Sequence, residues 1–326
     1  MMKKTLVALA AVAVTGGAFA QAVMTGSIGY GYVQATSNAG VVTGGMGTAA
    51  ANISFAVTED LGNGTSLSGS FGFDGGYEGK AATAQDYKLG LKTASGVGVN
   101  IYSGTASAYL AGGVAGAGSN FDYGLDGLVL GSASSAESVS LSMPVMTGVT
   151  LSVTHAEPAA SGYGTGAASA NTQRYNVVNV AYAAGALAAN ASYRSYDGQL
   201  SSTTSSAAQK TRASASYDLG VMKIGAGIDS TTYTAGNVYT ESLAGITVPL
   251  GSLTLGAQFG QVGTTGYDTN SDQTGSIFGA QYNLSKRTYM TAQYYTYTGS
   301  IKGSTGVVTS GTQNATGAVF TIYNSF

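Results

Sequence analysis

Residues 314–326 read NATGAVFTIYNSF and end on an aromatic residue. In alternate steps Ala318, Phe320, Ile322 and Phe326 fall on one face, while Gly317, Val319, Thr321 and Ser325 fall mostly on the other, as period-two strand geometry requires. The stretch therefore predicts a strand with one apolar face. A soluble sheet would show the same alternation in one strand, so the decision rests on how often the pattern recurs.

It recurs along nearly the whole chain. Residues 25–34 place Ile28, Tyr30 and Tyr32 opposite Ser27, Gly29 and Gly31, residues 52–58 repeat this with Ile53, Phe55 and Val57, and residues 66–74 do so with Leu67, Phe71 and Phe73. Further strands are predicted at 84–94 and 96–106, 137–144 and 148–156, 173–183 and 186–196, 210–218 and 221–231, 238–248 and 252–262, and 274–284 and 287–298. LTLGAQFG at 253–260 is the clearest, with Leu253, Leu255, Ala257 and Phe259 against Thr254, Gly256, Gln258 and Gly260.

The connections decide the architecture. Short ones at 59–64, 94–96, 144–148, 184–186, 218–221, 249–252 and 284–287 alternate with longer ones rich in Ser, Thr, Gly and Asn. Seven short turns and eight long loops imply about sixteen strands in an antiparallel up-and-down meander, each near the ~10 residues a bilayer-spanning strand needs. Hydrocarbon offers no partner to an edge amide, so such a sheet must close into a barrel. In EDLGNG at 59–64, Gly62, Asn63 and Gly64 tolerate positive φ, which marks a tight turn. A calcium-loop reading of that stretch lacks the alternating oxygen ligands and the distal glutamate.

Composition places the apolar face outside. Charged residues make up 9% of the 326, with no Cys and no Trp, against about 25% charged in ordinary soluble domains. A soluble sandwich needs a charged exterior that this chain cannot supply. The polar faces of Ser, Thr, Gly, Asn and Gln then line a wet lumen, and Tyr182, Tyr193, Tyr282 and Tyr323 near strand ends suit the lipid interface. Lys3 and Lys4, the apolar run Leu6 to Val14, and Ala18-Phe19-Ala20 read as a signal peptide over residues 1–20, so residues 21–326 form the mature barrel. A membrane anchor at that position would need an apolar run of ~20 residues. The mature chain keeps 11 basic against 15 acidic residues, which makes nucleic acid an unsuitable partner.

Several segments are similar to the general diffusion porins of Gram-negative bacteria, especially the beta-proteobacterial type. TEDLGNG at 58–64 resembles that family's first periplasmic turn, and YNLSKRTYMTAQYYTY at 282–297 its penultimate hairpin, with LSKRT at 284–288 matching most closely. Phe326 resembles the closing aromatic; ESVSLSMPVMTGV at 137–149 and QDYKLGL at 85–91 are weaker matches. The resemblance implies a homotrimer of barrels in the outer membrane, in contact with its lipid, passing ions and small hydrophilic solutes without a cofactor. It also implies an inward-folded long third loop, here residues 107–135. The family's Pro-Glu-Phe-Gly-Gly type motif is not evident there, and the chain has only Arg174, Arg194, Arg212 and Arg287, a departure from the usual constriction and anion preference.

Strand parity puts Lys88, Lys92, Arg194, Lys210, Arg212 and Lys223 on the lumen face, together with Asp74, Asp86 and Glu241. The expectation is that the basic group opposes Asp122 and Asp126 of the third loop across an eyelet, giving a transverse field that tunes ion choice. Catalytic and metal chemistry lack parts. His155 is the single histidine, and there is no Cys, no Gly-x-Ser-x-Gly elbow and no Gly-Lys-Ser/Thr phosphate loop. The competing reading, an exported Gly/Ser/Thr-rich surface protein or adhesin without a pore, explains the low charge but not the seven short turns.

Overall fold

The computed structural model describes residues 21–37, 40–75, 83–84, 86–105, 135–158, 173–197, 206–265, 273–302, 308–312 and 315–326. Sixteen strands close into one antiparallel barrel. They are β1 (Gln21–Thr36), β2 (Val42–Gly62), β3 (Thr65–Asp74), β4 (Tyr87–Lys92), β5 (Gly98–Thr105), β6 (Ser135–Met146), β7 (Val149–Pro158) and β8 (Arg174–Ala184). The second half comprises β9 (Leu187–Asp197), β10 (Ala207–Asp218), β11 (Lys223–Tyr233), β12 (Val238–Leu250), β13 (Leu253–Thr265), β14 (Gln273–Asn283), β15 (Thr288–Lys302) and β16 (Ala315–Ser325). Two short segments, Thr83–Ala84 beside β3 and Val308–Thr312 beside β15, extend the sheet beyond the ring.

The C-terminal strand β16 makes the seam. β16 pairs with β15 on one side and with β1 on the other, in register from Ser27↔Ser325 to Thr36↔Thr316. Gly26 and Phe326 exchange both backbone hydrogen bonds at 3.0 Å. A side chain on Gly26 would collide with the Phe326 ring, so the smallest residue sits where the terminal aromatic folds back. With both edges of the meander paired, every stave has two neighbours and the sheet exposes no edge to lipid.

Side-chain burial is inverted relative to a soluble protein. Val139 is 51% exposed and Phe259 51%, both on the outer wall, whereas Glu241 is 2% and Gln258 1% exposed on the inner wall. Apolar side chains left bare on the outside and polar ones packed inside are what a hydrocarbon solvent around a polar lumen requires.

The turn rim follows local chemistry. Gly62, Asn63 and Gly64 have φ of 83°, 53° and 72°, and Asp60 Oδ1 accepts from the Gly62 amide at 2.8 Å, an Asx turn that holds the β2–β3 hairpin. In the β14–β15 turn Ser285 Oγ accepts from the amides of Arg287 and Thr288 at 3.1 and 3.0 Å.

Three expectations are corrected. The loop rim is not uniformly long, since β1–β2 and β11–β12 are joined across residues 37–41 and 234–237 alone. β2 begins at Val42, far earlier than alternation marks it: residues 42–51 are mostly Gly, Ala, Val and Thr and show no period, yet their backbone pairs with β1 through a bulge at Gly29/Tyr30. Tyr323 does not sit at the lipid interface. It lies on the inner wall, its ring stacked on Tyr289 at 5.0 Å, while Tyr182, Tyr193 and Tyr282 face outward. The third loop, with Asp122 and Asp126, lies outside the described residues.

Candidate functional site

The inner wall of β9–β12 gathers charge. Alternation turns Tyr193, Tyr217 and Ile228 outward, so Arg194, Lys210, Arg212, Asp229 and Glu241 point inward. Register then aligns them: Arg194 opposes Lys210, Arg212 opposes Asp229, and Asp229 opposes Glu241. Arg212 donates from Nε at 2.9 Å and from Nη2 at 2.6 Å to Asp229 Oδ2. Lys210 Nζ stands 3.2 Å from the same oxygen. Asp229 is fully buried and its Oδ1 has no hydrogen-bond partner among the described residues. A buried carboxylate persists in this setting because two cations share it; without them its desolvation would be uncompensated.

Arg194 is held differently. Its guanidinium carbon lies 4.2 Å from the centroid of the Tyr175 ring and 5.8 Å from that of Tyr196, and Nη1 donates to Tyr196 Oη at 3.3 Å. The two rings meet edge to face at 5.8 Å. Stacking on an aromatic face keeps the cation extended along the wall while leaving its charge unneutralised.

The row thus carries three positive and two negative groups, one net positive charge. Lys88 and Lys92 stand on β4, half a circumference from β12 in the strand order, with Leu89 and Leu91 outward. Asp86, just before β4, accepts a hydrogen bond from Tyr102. Lys223 begins β11 at the turn rim, away from the row. The structure therefore brings Arg194, Lys210 and Arg212 together and separates Lys88 and Lys223 from them. Asp229 was missed by sequence reading, although its parity with Lys223 six residues earlier puts it on the same face. Tyr175 and Tyr196 were also missed, and only their register across β8–β9 reveals them.

His155 lies on the outer wall at the loop end of β7, its Nδ1 2.8 Å from Asn176 Oδ1 and its Nε2 3.5 Å from Glu157. Arg174 Nε completes this rim cluster 3.6 Å from Glu157. No group of three or more His, Asp or Glu that could hold a metal occurs among the described residues.

A sequence profile described as Gram-negative porin matches residues 5–302. This chain belongs to the Gram-negative porin family. Among solved structures it is similar to an anion-selective porin from Comamonas acidovorans, at 17% identity and a TM-score of 0.70, covering 94% of this chain and 100% of that one. OmpT of Vibrio cholerae follows at 13% identity and 0.66, covering 96% and 99%. The outer membrane channel DcaP of Acinetobacter baumannii also aligns, at 13% and 0.66, over 95% and 99%. No curated protein matches the chain by sequence. This porin resides in the outer membrane, and its lumen is a path for passive diffusion of small hydrophilic solutes and ions. Family and fold are those of a channel rather than an enzyme, and neither favours the pore-free adhesin.

Proposed function

We propose that this porin is a weakly ion-selective general diffusion channel, exported by a signal in residues 1–20, assembled as a homotrimer, and tuned by charges on the inner wall. The observation that carries the reading is the mutual neutralisation of the charged row, with Arg212 2.6 Å and Lys210 3.2 Å from one Asp229 oxygen. A strongly anion-selective wall would present those cations bare to the water column. Here they are largely spoken for, and the remaining positive charge of Arg194 and Lys88 is opposed, in this proposal, by Asp122 and Asp126 of the third loop. Solutes then pass according to size and polarity more than charge.

The test is conductance of the purified protein in a planar bilayer under a tenfold KCl gradient. Weak selectivity predicts a zero-current potential well below the ~59 mV of an ideally selective pore. A potential near that limit refutes weak selectivity. Conductance steps grouped in threes, with cross-linking to a trimer, support the assembly, and N-terminal sequencing of outer-membrane protein should begin at Gln21.

A further inference from the structure

The inner wall is divided. β9–β12 carry the charged row, but β13, β14, β16 and β1 contain no Asp, Glu, Lys or Arg, and β15 contains only Lys302 at its loop end. Between this sector and the glycine-rich start of β2 lies a recess of about 690 Å³, within the size range of small-molecule pockets. Its lining includes Gly31, Gly47, Tyr289, Tyr323, Thr291 and Gln293.

Register explains the shape. Tyr289, Tyr323 and Gly29 form one row, Thr291, Thr321, Gly31 and Gly47 the next, and Gln293, Val319, Val33 and Gly45 the third. The tyrosines stack at 5.0 Å with 23° between ring planes, forming a rigid aromatic end. The Thr291 and Thr321 hydroxyls are hydrogen-bonded to each other at the base. On the far side the wall is glycine. A Cβ on Gly45 or Gly47 would meet nothing within 4 Å, so open space lies directly above that backbone. Gly31 is different, because a Cβ there would sit 2.6 Å from the Phe320 carbonyl oxygen.

We propose that this recess is a subsite for neutral polyhydroxylated ring solutes, mono- or disaccharides, on the diffusion path. The chemistry narrows the class. Among the described residues no charged side chain lines the recess, so the wall offers an ion no counter-charge there. A purely apolar ring would offer the tyrosine and threonine hydroxyls no hydrogen bond in place of the water it displaces, which is costly. A sugar presents apolar C–H faces to tyrosine rings and hydroxyls to groups that both donate and accept, as Tyr, Thr and Gln do. Glycine opposite the rings gives the solute room to lie against the wall.

The inference rests on the reading of this chain as a conducting pore. The experiment separates the two. Channels of the full-length mature protein are recorded in 1 M KCl, and sucrose is titrated on one side, with zwitterionic glycine betaine at equal osmolality as the control. Block is expressed as a fraction of each variant's own current. The expected result is a saturable sucrose-dependent fall beyond the change in bulk conductivity, absent with betaine. Tyr289→Ala should weaken the block at least threefold. Gly47→Leu, which fills the recess from a position with free space above it, should do the same and keeps the test valid if the tyrosine variant does not fold. Current that merely tracks bulk conductivity, or block that survives Gly47→Leu unchanged, overturns the subsite. Absence of KCl conductance before sugar is added overturns the pore reading instead.

Discussion

Replacing Asp229 by Asn removes one negative charge from the inner wall with little change of shape. The carboxylate takes Arg212 Nε at 2.9 Å, Arg212 Nη2 at 2.6 Å and Lys210 Nζ at 3.2 Å, and the Asn carbonyl can still accept from part of that set. The row's net charge rises from one to two positive. A unit charge ~8 Å from a passing ion in water is worth about 0.5 kcal/mol, and about half survives screening at 0.1 M salt, where the Debye length is ~10 Å. The effect has opposite sign for anion and cation, so their difference changes by about 0.5 kcal/mol, roughly twofold in permeability ratio. In a tenfold gradient this moves the zero-current potential toward anions by about 14 mV, given ~59 mV per decade. At 1 M salt, where the Debye length is ~3 Å, the shift should vanish. Lys210 loses its full counter-charge, so the barrel should also weaken by about 3 kcal/mol, the low end for breaking a buried pair; heat-dependent gel mobility checks that the recorded channels are folded. A folded variant with no shift at low salt refutes the placement of this row on the ion path.

Other outcomes follow from the same geometry. Tyr175→Ala should release the Arg194 guanidinium from its 4.2 Å stacking and cost about 1 kcal/mol of stability, read by chemical unfolding in detergent, with Tyr175→Phe close to native. Leu255→Lys, on an outward position 41% exposed, should destabilise the barrel in lipid by about 2–4 kcal/mol, whereas the same change in a soluble sheet would be nearly silent; equal stability would mean that β13 does not face hydrocarbon. Phe326→Ala should slow seam closure and lower stability by about 1–2 kcal/mol, because its ring is only part-buried against Gly26; the fraction of heat-resistant barrel after refolding measures it.

Much of the barrel was legible because its staves obey a period of two. VTLSVT at 149–154 and LTLGAQFG at 253–260 show their faces directly, and Gly-rich turns such as 62–64 mark the hairpins. Where glycine and alanine replace the apolar face, as at 42–51, periodicity has nothing to act on. The strand is then held by its backbone ladder to β1, which composition does not encode. Tyr323 was misplaced for a related reason. A tyrosine near a strand end suits the lipid interface, but parity with Val319 and Thr321 outweighs that preference and turns the ring inward.

The site was less legible than the fold because it depends on register between strands. Parity alone put Arg194, Lys210, Arg212 and Glu241 in the lumen, but not which of them meet. The pairing of Arg212 with Asp229, and of Asp229 with Glu241, follows from how β10, β11 and β12 align. That alignment changes the functional reading, because cations that look available in sequence are matched to a carboxylate in space. The sequence itself leaves β13, β14, β16 and β1 without Asp, Glu, Lys or Arg, while register gathers five charged side chains on β9–β12. In the proposed reading, five side chains on β9–β12 set the ion preference, and the adjoining sector that starts at β13 is left to solutes recognised by rings and hydroxyls.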